Sequence, residues 1–143
     1  MSIEQQIRSI LKKHSLRKTA ARQEVLSVFL HSDTALSHSK LEEVFDNKFD
    51  RVTLYRTLKT FEQEGLIHKV LDDNAVVKWA VCKDDCSSGH HHDDHVHFKC
   101  DICHETYCLT NVPIHLAQLP KGFQVNSFQL LATGVCDKCN ALA

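Results

Sequence analysis

DDHVHFKCDICHETYC, residues 93–108, is the stretch on which the reading of the fold turns. Two cysteines with two residues between them, Cys100 and Cys103, follow directly on a His-x-His pair, His95 and His97, in a run that alternates like a β-strand. A second pair of the same spacing, Cys136 and Cys139, lies in VCDKC at 135–139. Four thiolates arriving as two short claws suit a tetrahedral zinc ion, because each loop turns both sulfurs toward one point about 2.3 Å from the metal. The 32 residues between the pairs exceed the usual gap of a zinc ribbon. The metal is therefore expected to staple the end of the chain onto a small folded unit. A redox CxxC is set aside because two pairs occur and neither is expected to open a helix after a strand in a βαβ unit.

At 143 residues the chain holds one ordinary domain or two small ones, and a small one gains from a structural metal because its apolar core alone is marginal. Seven cysteines also suit a disulfide-rich secreted protein. The opening MSIEQQIRSILKKH is instead amphipathic, without the unbroken apolar run of a signal peptide, and no stretch has the length and apolarity to cross a membrane. A cytoplasmic protein with reduced thiols is expected. Net charge is −1, yet the first 32 residues carry six Lys or Arg against two acids. That bias permits a nucleic-acid partner and equally suits a solvated helix face.

Taken in order, Ile3, Ile7, Ile10 and Leu11 recur at helical spacing and predict a helix over 3–13. A second is expected over 19–30, capped by Thr19, with Val25, Leu26, Phe29 and Leu30 inward. A third starts at Ser37 or Ser39, with Ser39 and Glu42 as a capping box and Leu41, Val44 and Phe45 as its apolar stripe. Asp50 caps a fourth over 51–64, whose Val52, Leu54, Leu58 and Phe61 are buried and which Gly65 stops. Two β-type runs follow, 66–71 and 76–81, separated by Asp72, Asp73 and Asn74. Helices and then a hairpin is the order of a winged helix-turn-helix, in which one helix enters the major groove and the wing reaches the neighbouring backbone. A generic small α+β bundle fits the same order. The polar stretch CKDDCSSGHHHDD at 82–94 reads as a loop and boundary. Beyond it, strands are expected at 95–99, 106–109 and 123–132, with a short helix at 111–119. The fold class is thus α+β, with an N-terminal domain over 1–82, a His/Cys-rich loop over 83–94 and a small α/β domain over 95–143.

LRKTAARQEVL (16–26), RVTLYRTLKTFEQEGLI (51–67), HVHFKCDIC (95–103) and GVCDKC (134–139) together resemble the ferric uptake regulator superfamily of metal-sensing repressors over nearly the whole chain. The resemblance implies a homodimer with an N-terminal winged helix and a C-terminal dimerisation domain, binding inverted-repeat, A/T-rich operator DNA when loaded with metal. GLIHKV followed by WAVC looks like the zinc uptake regulator branch, which implies His68 and Cys82 as regulatory ligands. His95 and His97 match histidines that join the sensory site, and Cys108 stands where a carboxylate ligand is usual. Five candidates exceed the usual four, so at least one stands aside. Thiolate and imidazole suit zinc better than the oxygen-rich sets that favour manganese or iron(II). Ala35 replaces the histidine that iron and peroxide sensors place before the third helix. At a further superfamily site the matching positions are Asp94, Val96, His115 and Phe128, and Val96 and Phe128 cannot bind metal. Cys86 and His90 to His92 have no counterpart in the pattern.

On the DNA side the resemblance implies a base contact from Tyr55, near Thr53 and Arg56 at the start of the fourth helix, and Arg17 in a minor groove. Arg56, Lys18, Arg22 and Arg51 are expected at phosphates. The expected function is a zinc-responsive transcriptional repressor, with one structural Zn2+ per chain and a regulatory Zn2+, or Fe2+ or Mn2+ in an iron- or peroxide-responsive variant. No membrane or small-molecule substrate is expected. A zinc hydrolase or deaminase needs an open coordination position and a placed Glu, and the H-x-E signature is absent. A zinc-storage module would explain the HHH loop but leaves a whole winged helix unexplained.

Overall fold

The computed structural model describes residues 2–70, 76–81, 96–109, 118–125 and 130–142. Helix α1 (Ile3–Lys13) starts at a capping box made by Ser2 and Gln5, and α2 (Ala20–His31) starts at Thr19, whose hydroxyl accepts the Arg22 amide. Strand β1 (Leu36–Ser37) leads into α3 (His38–Phe45), and α4 (Arg51–Gln63) begins at Asp50. The Asp50 carboxylate accepts hydrogen bonds from Thr53, which hold its pKa below the ordinary value. Gly65 ends α4 in the left-handed region, at φ +81°. The Gly65 amide donates to the Glu62 carbonyl and the Leu66 amide to Phe61, so buried Leu66 folds back over buried Phe61.

Strands β2 (Ile67–Val70) and β3 (Lys78–Val81) pair antiparallel, and β1 adds to the far side of β3 to give the order β1-β3-β2. The core of this winged-helix half joins Ile7 and Leu11 to Val25, Leu26, Phe29, Leu41, Leu54, Leu58, Phe61 and Trp79. The Trp79 indole N–H donates to Glu62 at 2.9 Å, which fixes the wing against the end of α4 while satisfying the one polar atom of a buried ring. The second sheet has the order β5-β4-β6, from β4 (Val96–Cys100), β5 (Thr106–Leu109) and β6 (Leu130–Gly134). Strand β5 runs antiparallel to β4 and β6 parallel to it. Helix α5 (Asp137–Ala141) closes the described chain.

Several expectations change. Ser37, not Ser39, caps α3, accepting the Lys40 amide, so the Ser39–Glu42 box does not form. Val44 and Val52 lie outward rather than in the core: α3 buries only Leu41 fully, and α4 buries Leu54, Thr57, Leu58 and Phe61 on the opposite side from Val52. The strand expected over 123–132 is β6 at Leu130–Gly134, and Phe123 and Val125 are exposed outside regular structure. Residues 111–117 of the expected short helix and the turn at 72–74 lie outside the described residues, as does all of 82–95, where the domain boundary was placed. Leu119 is not helical.

Phe61 is fully buried where α4 turns into the wing. Phe61→Ala is expected to destabilise the first half by about 3–5 kcal/mol, read as a lower denaturant midpoint at unchanged metal content; a change below about 1 kcal/mol would overturn this view of the core.

Candidate metal centres and nucleic-acid face

Strands β4 and β6 are parallel, with Cys100 opposite Gly134, so both end at the same edge of the sheet. The two CxxC loops leave from that edge side by side. A Cβ on Gly134 would stand 3.3 Å from the Phe98 ring, so glycine leaves that ring room beside the strand end. The Asp101 amide then donates to the Gly134 carbonyl at 2.7 Å, and His104, in the left-handed region at φ +64°, turns its amide back to the Cys100 carbonyl. The outcome is a group of Cys100, Cys103, Cys136 and Cys139 whose sulfurs all lie within 4.8 Å of one another.

The spacing fits a tetrahedral metal. Cys103 and Cys136 sulfurs are 3.9 Å apart, against about 3.8 Å for the edge of a tetrahedron with metal–sulfur bonds of about 2.3 Å, and far beyond a disulfide bond of about 2.05 Å. Cys100 Sγ accepts the amides of Ile102, Cys103 and Cys136 at 3.4–3.5 Å. Those amides, Cys103 and Cys136 foremost, pull its pKa down to about 6. The Cys139 backbone amide, and after it the Tyr107 hydroxyl, lower Cys136, whereas burial pushes Cys139 up to about 12. Thiolates are thus favoured at Cys100 and Cys136 chiefly by backbone amides, and loading a cation expels the protons left on the others. The second pair opens α5 directly after β6, with Cys136 at the N-cap. It forms no βαβ unit, and its partners are the other two cysteines.

A second group joins the two halves of the chain. His68 comes from β2 of the wing, while His97 and Cys108 are cross-strand neighbours on β4 and β5. The ligand atoms of these three lie within 4.8 Å of one another, with both histidines buried and Cys108 half-buried. His68 Nε2 stands 3.7 Å from Cys108 Sγ, close to the roughly 3.6 Å expected for nitrogen and sulfur on one tetrahedral zinc. The His68 and His97 rings stack at 6.0 Å with 19° between their planes. Ala35 is buried beside Val70 and Ala80, and Cys108 packs against them. Cys82 and His95, also expected here, lie outside the described residues, as do Cys86, His90 to His92, Asp94, His115 and Phe128. Val96 is a buried aliphatic at the start of β4 and offers no donor.

Sequence reasoning missed what seats His68 against the second sheet. Thr34 forms an antiparallel bridge with Tyr107, and the Ala35 amide donates to the Thr106 carbonyl at 2.7 Å, so the chain before β1 extends the β5 edge. Lys78 on β3 donates to the His104 carbonyl and the Thr106 hydroxyl, both at 3.2 Å. A two-residue strand and single bridging residues have no periodicity to detect.

On the nucleic-acid side, Arg51, Val52, Tyr55 and Arg56 share the exposed face of α4, opposite the buried Leu54 and Leu58. Thr53 is half-buried, with its amide taken by Asp50. Arg17 and Lys18 are exposed in the turn before α2, and Arg22, expected at a phosphate, donates to the Arg17 carbonyl at 2.8 Å. Lys59 lies 5.6 Å over the Tyr55 ring.

A sequence profile of the ferric uptake regulator family matches residues 13–135. The chain belongs to the ferric uptake regulator family. It is accordingly a metal-responsive transcription regulator and not an enzyme. The ferric uptake regulation protein of Staphylococcus aureus is 28% identical over 134 residues, spanning 91% of this chain and 93% of its own. A zinc uptake regulator solved with zinc and DNA shares the fold at a TM-score of 0.68 and 19% identity, over 99% of this chain and 97% of that one. The Helicobacter pylori ferric uptake regulator does so at 0.58 and 20%, over 96% and 91%. Among the described residues of this family member, no helix is long and apolar enough to cross a membrane.

Cys136 belongs to the four-sulfur group and receives the Tyr107 hydroxyl. Cys136→Ser is expected to lower tightly held metal by about one ion per chain and to lower the thermal midpoint. Elemental analysis after dialysis measures the first, and unchanged metal content would remove the group's assignment.

Proposed function

We propose that this chain is a zinc-responsive repressor that acts as a cytoplasmic homodimer on inverted-repeat, A/T-rich operator DNA. The observation that carries the reading is the convergence of His68, His97 and Cys108 from both sides of the domain boundary. Two imidazoles and a thiolate form a soft donor set that suits zinc above manganese or iron(II). Cys82 or His95 is proposed to supply the fourth donor, the other standing aside, and Cys100, Cys103, Cys136 and Cys139 to hold a second, structural zinc. A bound divalent cation supplies an attraction that all these donors share.

His68 sits in β2, and β2 follows α4 after only Glu64, Gly65 and Leu66. Drawing His68 toward His97 and Cys108 therefore sets the angle of α4 relative to the second sheet. In a homodimer built on that sheet, the angle decides whether two α4 helices match successive major grooves. A full switch needs about a 10⁴-fold preference of the cation for the closed arrangement, roughly 5.5 kcal/mol, and zinc held by several protein donors supplies energies of that order or more. Tyr55 is proposed to meet bases, with Thr53 beside it, Arg17 to enter a minor groove, and Arg56, Lys18, Arg22 and Arg51 to meet phosphates.

The iron(II)-responsive reading is favoured by one observation, the name carried by the 28% identical staphylococcal relatives. Titrating chelator-stripped protein with zinc, iron(II) and manganese while following fluorescence anisotropy of an A/T-rich inverted repeat separates the two. Zinc is expected to restore binding at the lowest free concentration, and His68→Ala to cut the metal-induced gain by about 5–150-fold. Recovery with iron(II) alone, or a His68→Ala protein that responds like wild type, overturns the proposal.

A further inference from the structure

Arg51 opens α4 at the end where the helix dipole is positive, so a cation there is electrostatically disfavoured unless a neighbour compensates. That neighbour is Glu42 of α3. Its Oε1 accepts from Arg51 Nε at 3.0 Å and lies 3.2 Å from Nδ1 of His38, one turn earlier on the same helix. The His38 ring in turn meets Tyr55 edge-on, with centroids 6.3 Å apart and planes at 71°. Nε is the donor to Glu42, and the Arg51 side chain is 78% exposed. The carboxylate engages Nε of an otherwise exposed guanidinium, which has four further N–H donors to offer another anion.

We infer that Glu42 is a positioning residue for DNA binding. Through Arg51 directly, and through His38 beside Tyr55, it braces both ends of the exposed first turns of α4 from α3. The inference rests on the reading that α4 faces DNA. It runs against simple electrostatics, since an acid on a DNA-facing surface repels phosphate and its removal should tighten binding. Bracing has the opposite sign: without Glu42, the long Arg51 side chain loses its fixed direction and must be ordered when it meets a phosphate.

The test uses zinc-loaded, full-length protein and an A/T-rich inverted-repeat duplex, followed by anisotropy across a range of salt. Glu42→Ala is compared with Glu43→Ala, the adjacent exposed acid on the same helix, which undergoes the same change of charge and helix propensity. Glu42→Ala is expected to bind about three- to tenfold more weakly, while Glu43→Ala binds equally or more tightly. In an Arg51→Ala background, which itself lowers the salt slope by about 1, Glu42→Ala is expected to produce a much smaller further loss. Equal thermal midpoints of Glu42→Ala and wild type separate positioning from folding; a loss of binding explained by a fallen midpoint overturns the inference. So does tightening by Glu42→Ala to match Glu43→Ala, or an undiminished loss without Arg51. Failure of the wild type to bind any duplex overturns the DNA-binding reading and this inference together.

Discussion

A single backbone hydrogen bond, from the Ala35 amide to the Thr106 carbonyl, sits where the two halves of the chain meet. With the Thr34–Tyr107 bridge, it lets the segment before β1 extend the edge of the second sheet. Since β1 is also paired with β3, and β3 with β2, the bond connects the wing to β5 through continuous ladders. Lys78 reinforces the same junction from β3. Among the described residues, this join is where the wing that carries His68 meets the sheet that carries His97 and Cys108.

The two cysteine- and histidine-rich groups use different principles of assembly. The four sulfurs gather because β4 and β6 are parallel and in register to their common end, where Gly134 admits the Phe98 ring. Backbone amides of Ile102, Cys103 and Cys136 then address the Cys100 sulfur, and these donors exist whatever side chains occupy the loops. That group is self-contained within one sheet. The His68, His97 and Cys108 group is divided between two sheets, so its geometry depends on how they meet. A tight, local donor set suits a staple, and a divided one suits a sensor.

Helix α4 carries these arrangements to the surface. Its inner side is locked by Leu54, Leu58 and Phe61, its end by the Gly65 turn and the Trp79–Glu62 bond, and its first turn by Asp50 and Glu42. A helix fixed at both ends and along its inner face moves with the wing as one body. On the proposed function, a displacement at His68 would reach Tyr55 and Arg56 through this helix, as a rigid-body switch requires.

The sequence by itself determined the first four helices, the hairpin strands and the four-cysteine set. Helical spacing, the caps at Thr19 and Asp50, the stop at Gly65 and the repeated CxxC are local properties, carried by residues a few positions apart. It also marked His68, His97 and Cys108, although through resemblance rather than spacing. It misplaced Val52 and Val44, because an apolar residue beside a helical stripe looks the same whether it faces a core or a groove. It left Ser37 and Ser39 both open as the start of α3 and read a capping box at Ser39 and Glu42 that does not form, because the pairing of β1 with β3 places Ser37 at the cap. Only the tertiary structure decided that β6 runs parallel to β4, that Ala35 joins the β5 edge and that Glu42 reaches Arg51. Those relations link residues distant in sequence through backbone pairing and packing, and no periodicity in the chain encodes which distant edge or side chain will be met.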